Sequence, residues 1–188
     1  MQPQTIFFVG KPGCGKGTQA NLLSGKTGWS TYSSGDLFRA IATEESPVGR
    51  KVREENDAGL LQPHWFAMYL FLKTLFAVPG DTGVIFDGFC RKVPEAELVK
   101  DSLQWLGRPF TVLNVQISDE TALRRLALRK SVEGRADDFV VDERLKEYHT
   151  YTEPALEVFR KANVLIDIDG ESAPEEIAVA VRTALDIT

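Results

Sequence analysis

The feature that most constrains this chain is a glycine-rich segment, GKPGCGKGT at residues 10–18, which follows an apolar run and opens a helix-like stretch. Its GxxxxGK core is the pattern of a phosphate-binding loop. Glycines let such a loop bend until its main-chain N–H groups point at β- and γ-phosphates, and the helix N-terminus adds partial positive charge. Lys16 is expected to reach across the phosphates. The pattern predicts that a nucleoside triphosphate binds at Gly13, Cys14, Gly15, Lys16, Gly17 and Thr18.

Two residues in or near this loop are candidates for a magnesium shell. The position after the loop lysine is Gly17 rather than the usual Ser or Thr, so the hydroxyl would come from Thr18. A second apolar run, GVIF, ends in Asp87. A carboxylate at the carboxyl end of a strand beside a phosphate loop commonly holds magnesium, directly or through water. The alternative is that Asp87 caps the next helix, but beside a phosphate loop we favour the magnesium role.

Short apolar runs alternate with longer helix-like segments, the pattern of a parallel sheet wrapped by helices. The strand candidates are residues 5–9, 30–33, 83–86, 110–117 and 163–168, and the helix candidates are residues 16–26, 36–57, 63–78, 94–106, 119–129, 141–161 and 174–185. The strands are continuously apolar, as expected when both faces are covered, and Pro47 should split the second helix. We therefore predict one α/β domain over residues 1–188, a three-layer fold of the P-loop NTPase type with a five-stranded parallel sheet.

Charge and hydropathy exclude several classes of partner. The net charge of −5 argues against a nonspecific nucleic-acid binder, although basic residues that converge in one cleft could still bind a small nucleotide. The most apolar stretch, residues 66–78, is shorter than a bilayer span and contains Lys73, so we expect no membrane partner. Cys14 and Cys90 form neither a disulfide framework nor a metal framework. With no signal peptide visible, these features predict a cytoplasmic protein.

The order of motifs resembles that of the adenylate kinase family over nearly the whole chain. The matching segments are GKPGCGKGTQ (residues 10–19), SSGDLFR (33–39), DGFCRKVPEAE (87–97), RLALR (125–129), GRADD (134–138) and RLKEYHTYTEP (144–154). They are similar to the family's phosphate loop, its acceptor motif STGD-x-x-R, its segment DGFPRT-x-x-QA, its arginine and lid motifs, and the helix that follows them. So many motifs in the right order are far more specific than a phosphate loop alone.

The resemblance implies a nucleoside monophosphate kinase, a phosphotransferase that moves the γ-phosphoryl group of ATP onto a nucleoside monophosphate with Mg²⁺, AMP being the favoured acceptor. It implies a helical flap over the acceptor at residues 30–61 and a short lid over ATP at residues 130–138, a stretch that its charge and Gly134 predict to be an exposed loop. The expected catalytic residues are Lys16, Arg91, Arg125, Arg135 and Arg144; Arg125 and Arg129 join the ATP site. The expected acceptor residues are Ser34, Arg39, Leu61, Gly88, Arg91, Glu95, Arg135 and Arg144, and Asp137 and Asp138 support the lid.

Further expectations come from the lid and from two departures from the family pattern. Only five residues separate Arg129 from Arg135, so the lid is of the short type and no zinc is expected. The family prior also favours a monomer. Cys90 replaces the family's proline, so the turn there must be built differently. Glu95 replaces the base-reading glutamine and leaves the acceptor base open.

Three interpretations of Glu95 remain at this point. A carboxylate offers only acceptors and could bind the two adjacent donors of guanine. AMP could instead bind through main-chain contacts near Leu61, with Glu95 accepting from the amino group or carrying a proton. Alternatively, Glu95 swings out to solvent and contacts no base.

Two alternative functions are an ATP-binding regulatory protein that transfers no phosphoryl group and a phosphate-loop kinase for another small molecule, such as shikimate or a nucleoside. The complete set of Lys16, Asp87 and the arginines argues against the first. The motifs SSGDLFR and DGFCRK argue against the second, because their arginines, Arg39 and Arg91, require an acceptor phosphate.

Overall fold

A computed structural model of the chain describes residues 5–133 and 140–187. In this part of the chain, five parallel strands form one sheet in the order β2-β3-β1-β4-β5. The strands are β1 (Thr5–Gly10), β2 (Ser30–Ser33), β3 (Val84–Asp87), β4 (Phe110–Gln116) and β5 (Leu165–Asp169). The predicted sheet is therefore confirmed, with strand ends displaced by one or two residues.

Helices cover both faces of the sheet. They are α1 (Lys16–Thr27), α2 (Ser34–Ala42), α3 (Pro47–Asp57), α4 (His64–Ala77), α5 (Val93–Trp105), α6 (Asp119–Glu133), α7 (Val141–Glu147), α8 (Glu153–Lys161) and α9 (Pro174–Ala184). The predicted break at Pro47 is confirmed, since this proline starts α3 behind a Ser46 cap.

Two helix predictions need correction. A π-helical turn, Tyr148–Thr152, divides the single helix predicted at residues 141–161. Residues 130–133, assigned to the lid loop, instead continue α6, because glycine first interrupts the helix-compatible sequence at Gly134. The remaining lid residues, 134–138, lie outside the described part of the chain.

The alternation of side chains along β1 divides the core into two layers. Phe7 packs on one face with Phe71 of α4 and Phe86 of β3, whereas Ile6 and Phe8 belong to the layer on the other face, which includes residues of α1 and α9. All six residues of β1 are buried. This is what a central parallel strand requires, because helices cover it on both sides.

The sheet order places the ends of three strands together. β1 lies between β3 and β4, and its neighbours are reached by connections that run in opposite directions. A crevice opens at such a switch point, beyond the carboxyl ends of the strands. In the sheet register Phe8 pairs with Asp87, and Asp87 pairs with Ser33. The phosphate loop, Asp87 and the start of α2 therefore share one edge.

The turn after β3 is built without proline. Every peptide bond among residues 5–133 and 140–187 is trans, while Gly88 and Cys90 have φ values of 74° and 65°. A Cβ atom at Gly88 would lie 2.6 Å from an Arg91 nitrogen and 3.0 Å from Ser34 Oγ. Two left-handed residues therefore form the turn. Glycine is favoured at the first because its φ of 74° strains other residues and because a Cβ there would displace the Arg91 guanidinium.

None of the helices within the described ranges is long and apolar enough to cross a membrane.

Candidate active site

The loop between β1 and α1 has the geometry of an anion site. Gly15 stands at the N-cap of α1 with φ 92°, and within the described structure no side chain caps this helix end. Uncapped N–H groups at a helix N-terminus attract anions. The ammonium group of Lys16 donates to the carbonyl oxygens of Gly10 and Lys11, both at 2.8 Å. Phosphate oxygens entering the loop would compete for this cation.

Cys14, one of the residues assigned to the ATP site, lies beneath the loop rather than on its surface. Its side chain is fully buried, and Lys16 Nζ lies 3.4 Å from its Sγ. A ligand on the loop would therefore contact the main chain of Cys14 and leave its thiol in the core.

Helix α6 supplies arginines to the same loop. A Cβ atom at Gly13 would lie 3.1 Å from Leu126 Cγ, so the helix packs directly against the loop. Arg125 and Arg129, on either side of that contact, both line the cleft. A guanidinium nitrogen of Arg125 also donates to the carbonyl of Glu171 at 3.3 Å. Their four-residue spacing places both cations on one helix face, as the sequence predicted.

The acceptor motifs meet at the start of α2. Ser34 Oγ donates to the carbonyl of Gly88 at 2.7 Å, and Arg91 Nε donates to the same oxygen at 2.6 Å. Arg39 forms an ion pair with Asp36, one turn away on the same helix. Because both members of this pair are exposed to a large extent, a phosphate could replace the Asp36 carboxylate at little cost.

Asp87 is a half-buried residue at the foot of the phosphate loop, and its Oδ1 atom is buried. Burial raises its pKa, and the nearby charges of Lys16 and Arg91 oppose this rise. Its Oδ1 has no hydrogen-bond partner among the described residues, and its Oδ2 lies 3.4 Å from where a Cβ of Gly17 would stand. Thr18, one residue further, is exposed to the cleft. A carboxylate oxygen without a partner among the described residues and a hydroxyl that lines the same cleft fit Mg²⁺, which commonly takes one or two carboxylates and keeps several waters.

Glu95 is held inside the cleft wall. Only 3% of the residue is exposed, and its Oε2 accepts a hydrogen bond from the main-chain N–H of Arg91 at 2.8 Å. Burial raises the pKa of this carboxyl, while the bond from Arg91 opposes the rise. The interpretation that Glu95 swings out to solvent is therefore wrong, because the N–H group of the turn before α5 holds its side chain.

These groups surround one cleft of about 920 Å³. Among the described residues that line it, the basic ones are Lys16, Arg39, Arg53, Arg91, Arg125, Arg129 and Arg144, and the acidic ones are Asp36, Asp57, Asp87, Glu95 and Glu147. Gly13, Gly15, Gly17, Thr18, Ser34, Leu61 and Gly88 also line it. The basic excess contrasts with the net charge of −5, so basic residues do converge in one place. Arg135, Asp137 and Asp138 lie outside the described residues.

The sequence did not single out two charged residues beside the acceptor end of this cleft. Glu147 Oε2 accepts a hydrogen bond from the main-chain N–H of Leu61 at 2.9 Å. Lys92 Nζ donates to the carbonyls of Leu61 and Gln62 at 3.3 and 3.1 Å. A charged residue near a helix end is usually solvated, so no local pattern marked either of them.

Comparison with known proteins agrees with this arrangement. The family model for adenylate kinase matches residues 8–164. The chain is 35% identical to an adenylate kinase of Thermus thermophilus over 187 residues, which cover 98% of each protein. It is 33% identical to the adenylate kinases of Prochlorococcus marinus over 185 residues and of Porphyromonas gingivalis over 184 residues, with coverage of at least 95% of each protein. The chain therefore belongs to the adenylate kinase family of phosphotransferases.

Proposed function

We propose that this chain transfers the γ-phosphoryl group of ATP to AMP and forms two molecules of ADP. The observation that carries the proposal is that the two groups to which we assign phosphate binding line one cleft. The loop at Lys16 lies at the end of β1, and the Ser34–Gly88–Arg91 contact lies at the end of the neighbouring strand β3. Two phosphate chains bound at these sites would meet end to end.

The residues of the cleft suit this transfer electrostatically. A phosphate oxygen of AMP attacks the γ-phosphorus of ATP, the bond from that phosphorus to the β–γ bridging oxygen breaks, and this oxygen leaves on ADP. Charge builds up on the transferred group, so catalysis depends on positioned cations. Lys16 would bind the β- and γ-phosphates of the donor. Arg39 and Arg91 would bind the acceptor phosphate through paired N–H groups.

The remaining arginines are assigned to the transferring group. Arg125, Arg129 and Arg144 line the same cleft, which supports this role. Arg135 is proposed to join them from the lid, with Asp137 and Asp138 holding the lid arginine in place. Closure over the substrates would exclude water, which otherwise competes with AMP for the phosphoryl group.

Thr18 and Asp87 are the residues that would hold Mg²⁺, mostly through water. The bound ion would neutralise charge on the β- and γ-phosphate oxygens. Asp87 suits this role because its buried Oδ1 lacks a partner among the described residues. Hydroxyl and carboxylate oxygens are the ligands that this hard cation prefers.

The protonated form of Glu95 would favour adenine over guanine. Its Oε2 accepts the N–H of Arg91, which fixes the carboxyl in the cleft wall, and both oxygens keep lone pairs for a base. Burial also raises the pKa of Glu95, so the carboxyl stays protonated to a higher pH than it would in solvent. A protonated carboxyl presents one donor and one acceptor. This pair complements the pairing edge of adenine, where an amino group lies beside an unprotonated ring nitrogen.

One assay tests the proposal. The purified protein is mixed with ATP and Mg²⁺, together with AMP, GMP, CMP or UMP in turn, and ADP formation is followed. We expect AMP to give the highest kcat/KM. If none of the four monophosphates supports ADP formation, the proposal is contradicted, and an ATP-binding regulatory protein or a kinase for another small molecule would explain the result. A higher kcat/KM with GMP, CMP or UMP would show that AMP is the wrong acceptor.

A further inference from the structure

Two charged side chains hold the segment that joins the acceptor flap to the core. Residues 58–63 connect α3 to α4, and the two residues held are Leu61 and Gln62. The carboxylate of Glu147 binds the N–H of Leu61, and the ammonium of Lys92 binds the carbonyls of both residues. A cation and an anion thus bind opposite polar groups of the same short main-chain segment. We call this arrangement the exit clasp.

The π-helical turn Tyr148–Thr152 contacts Lys92 of the exit clasp and its neighbour Arg91. Lys92 Nζ lies 5.3 Å from the centre of the Tyr151 ring, within the range of a cation–π contact. Thr152 Oγ1 donates to the carbonyl of Arg91 at 3.1 Å. Glu147, the other half of the clasp, is the last residue before the turn. Turns of this kind often occur at functional sites. Here Tyr151 contacts Lys92, Thr152 contacts Arg91, and Glu147, just before the turn, contacts Leu61.

Lys92 also connects the exit clasp to both acceptor-binding groups. It follows Arg91, the proposed phosphate ligand, in the chain, and its positive charge opposes the rise in the pKa of Glu95 that burial causes. Arg91 is fixed at its own N–H by Glu95 and at Nε by the carbonyl of Gly88. A displacement of residues 58–63 would therefore act on the phosphate end and the base end of the acceptor site together.

The position of residues 58–63 makes this connection relevant to flap movement. They leave the flap after α3 and enter α4, whose Met68 and Phe71 are buried in the core. Gly59 has φ 73°, a conformation that favours glycine. Hinges are commonly a few residues at the ends of elements that absorb changes in φ and ψ. The exit clasp lies at such a place.

We propose that Lys92 is a positioning residue for the acceptor, which holds the exit of the flap at Leu61 and Gln62 in the geometry that receives a nucleoside monophosphate. The proposal rests on the proposed function for the identity of the acceptor. Its structural part, that Lys92 restrains residues 58–63, does not depend on turnover. Methionine at position 92 would keep the length of the side chain but lose the donor to both carbonyls.

The test compares Lys92→Met with the native protein by hydrogen exchange without ligands and by steady-state kinetics. We expect amides of residues 58–63 to exchange about tenfold faster or more, and the KM for AMP to rise about tenfold, as for a lost bond from a charged donor. The KM for ATP should change by no more than about twofold, since ATP binds at the other end of the cleft. Lys92→Arg should keep much of the native protection from exchange and much of the native KM for AMP, because a guanidinium group also donates to carbonyls.

Lys100→Met is the matched control, since Lys100 lies on the same helix, α5, and pairs with the exposed Asp101. It should match the native protein in both measurements. Unchanged exchange at residues 58–63 in Lys92→Met would overturn the proposal. Equal rises in both KM values would also overturn it, because they would indicate a general structural role. If the native protein has no kinase activity but the exchange result holds, the proposed function fails and the restraint by Lys92 stands.

Discussion

A carboxylate oxygen of Glu95 accepts the main-chain N–H of Arg91 at 2.8 Å. The two residues are assigned to opposite ends of the acceptor, the base and the phosphate. Their hydrogen bond spans the first turn of α5 and sets the orientation of the carboxyl before any base arrives. A substitution at Glu95 is therefore expected to alter base selection and, through Arg91, the placement of the phosphate.

Replacement of Glu95 by glutamine should shift acceptor preference toward AMP. An amide offers one donor and one acceptor at every pH, whereas the ionised carboxylate presents a second acceptor to the adenine ring nitrogen. At a pH above the raised pKa of Glu95, where the native carboxyl is ionised, we expect the preference for AMP over GMP to increase by roughly 1–3 kcal/mol, the cost of a mismatched buried polar group. The measurement is kcat/KM for AMP, GMP, CMP and UMP. Glu97→Gln, on an exposed position of the same helix, is the control, and an unchanged order in Glu95→Gln would show that the residue does not select the base.

The preference of the native protein for AMP over GMP should depend on pH. Burial raises the pKa of Glu95 above its ordinary value of 4.5. Below the raised pKa the protonated carboxyl suits adenine, and above it the carboxylate suits guanine better. The ratio of kcat/KM for AMP to that for GMP should therefore fall as pH rises through the pKa, and it should stay constant in Glu95→Gln. Ionisation of the phosphate is common to both acceptors and cancels in the ratio, so a flat native profile would exclude control by Glu95.

The same shift in pKa predicts an effect on stability. Between the ordinary value of 4.5 and the raised value, the folded state binds more protons at Glu95 than the unfolded state. The contribution of this residue to the free energy of unfolding therefore falls as pH rises through that window and is constant above it. The measurement is the free energy of unfolding of Glu95→Gln and of the native protein, from urea denaturation at several pH values in this window. As pH rises, the native protein should lose stability relative to the variant. A difference that does not vary with pH would contradict the assigned cause.

Replacement of Lys16 by methionine should reduce turnover by several orders of magnitude and leave the fold intact. The ammonium binds two loop carbonyls in the free protein and is expected to bind the donor phosphates during transfer. The measurement is kcat with ATP and AMP, alongside thermal unfolding. Lys26→Met, at an exposed position near the end of the same helix, should retain native activity. A loss in Lys16→Met of less than about tenfold, or ~1.4 kcal/mol in the barrier, would contradict the phosphate-loop assignment.

Replacement of Asp87 by asparagine should weaken the response to magnesium. Without the carboxylate charge, the water molecules that bind the ion would lose a hydrogen-bond acceptor. Comparable changes typically cost 10–100-fold in metal affinity, and we expect roughly this effect. The measurement is the Mg²⁺ concentration that gives a half-maximal rate at saturating ATP. Asp81→Asn, an exposed carboxylate before the same strand, is the control. The capping role is not available to Asp87, because Lys92 is the N-cap residue of α5 and no side chain among the described residues caps that helix. An unchanged Mg²⁺ dependence in Asp87→Asn would exclude Asp87 from the magnesium site.

A bisubstrate dinucleotide should protect both proposed flaps from hydrogen exchange. Simultaneous binding at the two phosphate sites would draw residues 30–61 and residues 130–138 over the cleft, because cations of both segments would bind the phosphates. AMP alone should protect mainly residues 30–61. Unchanged exchange of both segments with the dinucleotide would count against closure as part of the mechanism.

The sequence by itself determined the sheet, the phosphate loop and the positions of Asp87 and Arg91, because these depend on local information. Continuous apolar runs form buried strands, and glycines permit the loop conformation wherever it follows such a strand. The tertiary structure decided which groups restrain one another. Glu147 and Leu61 are 86 residues apart, and Lys92 and Leu61 are 31 apart. Whether Glu147 and Lys92 are solvated or bind the main chain of residues 58–63 depends on which segments pack together. Their spacing along the chain does not predict this contact.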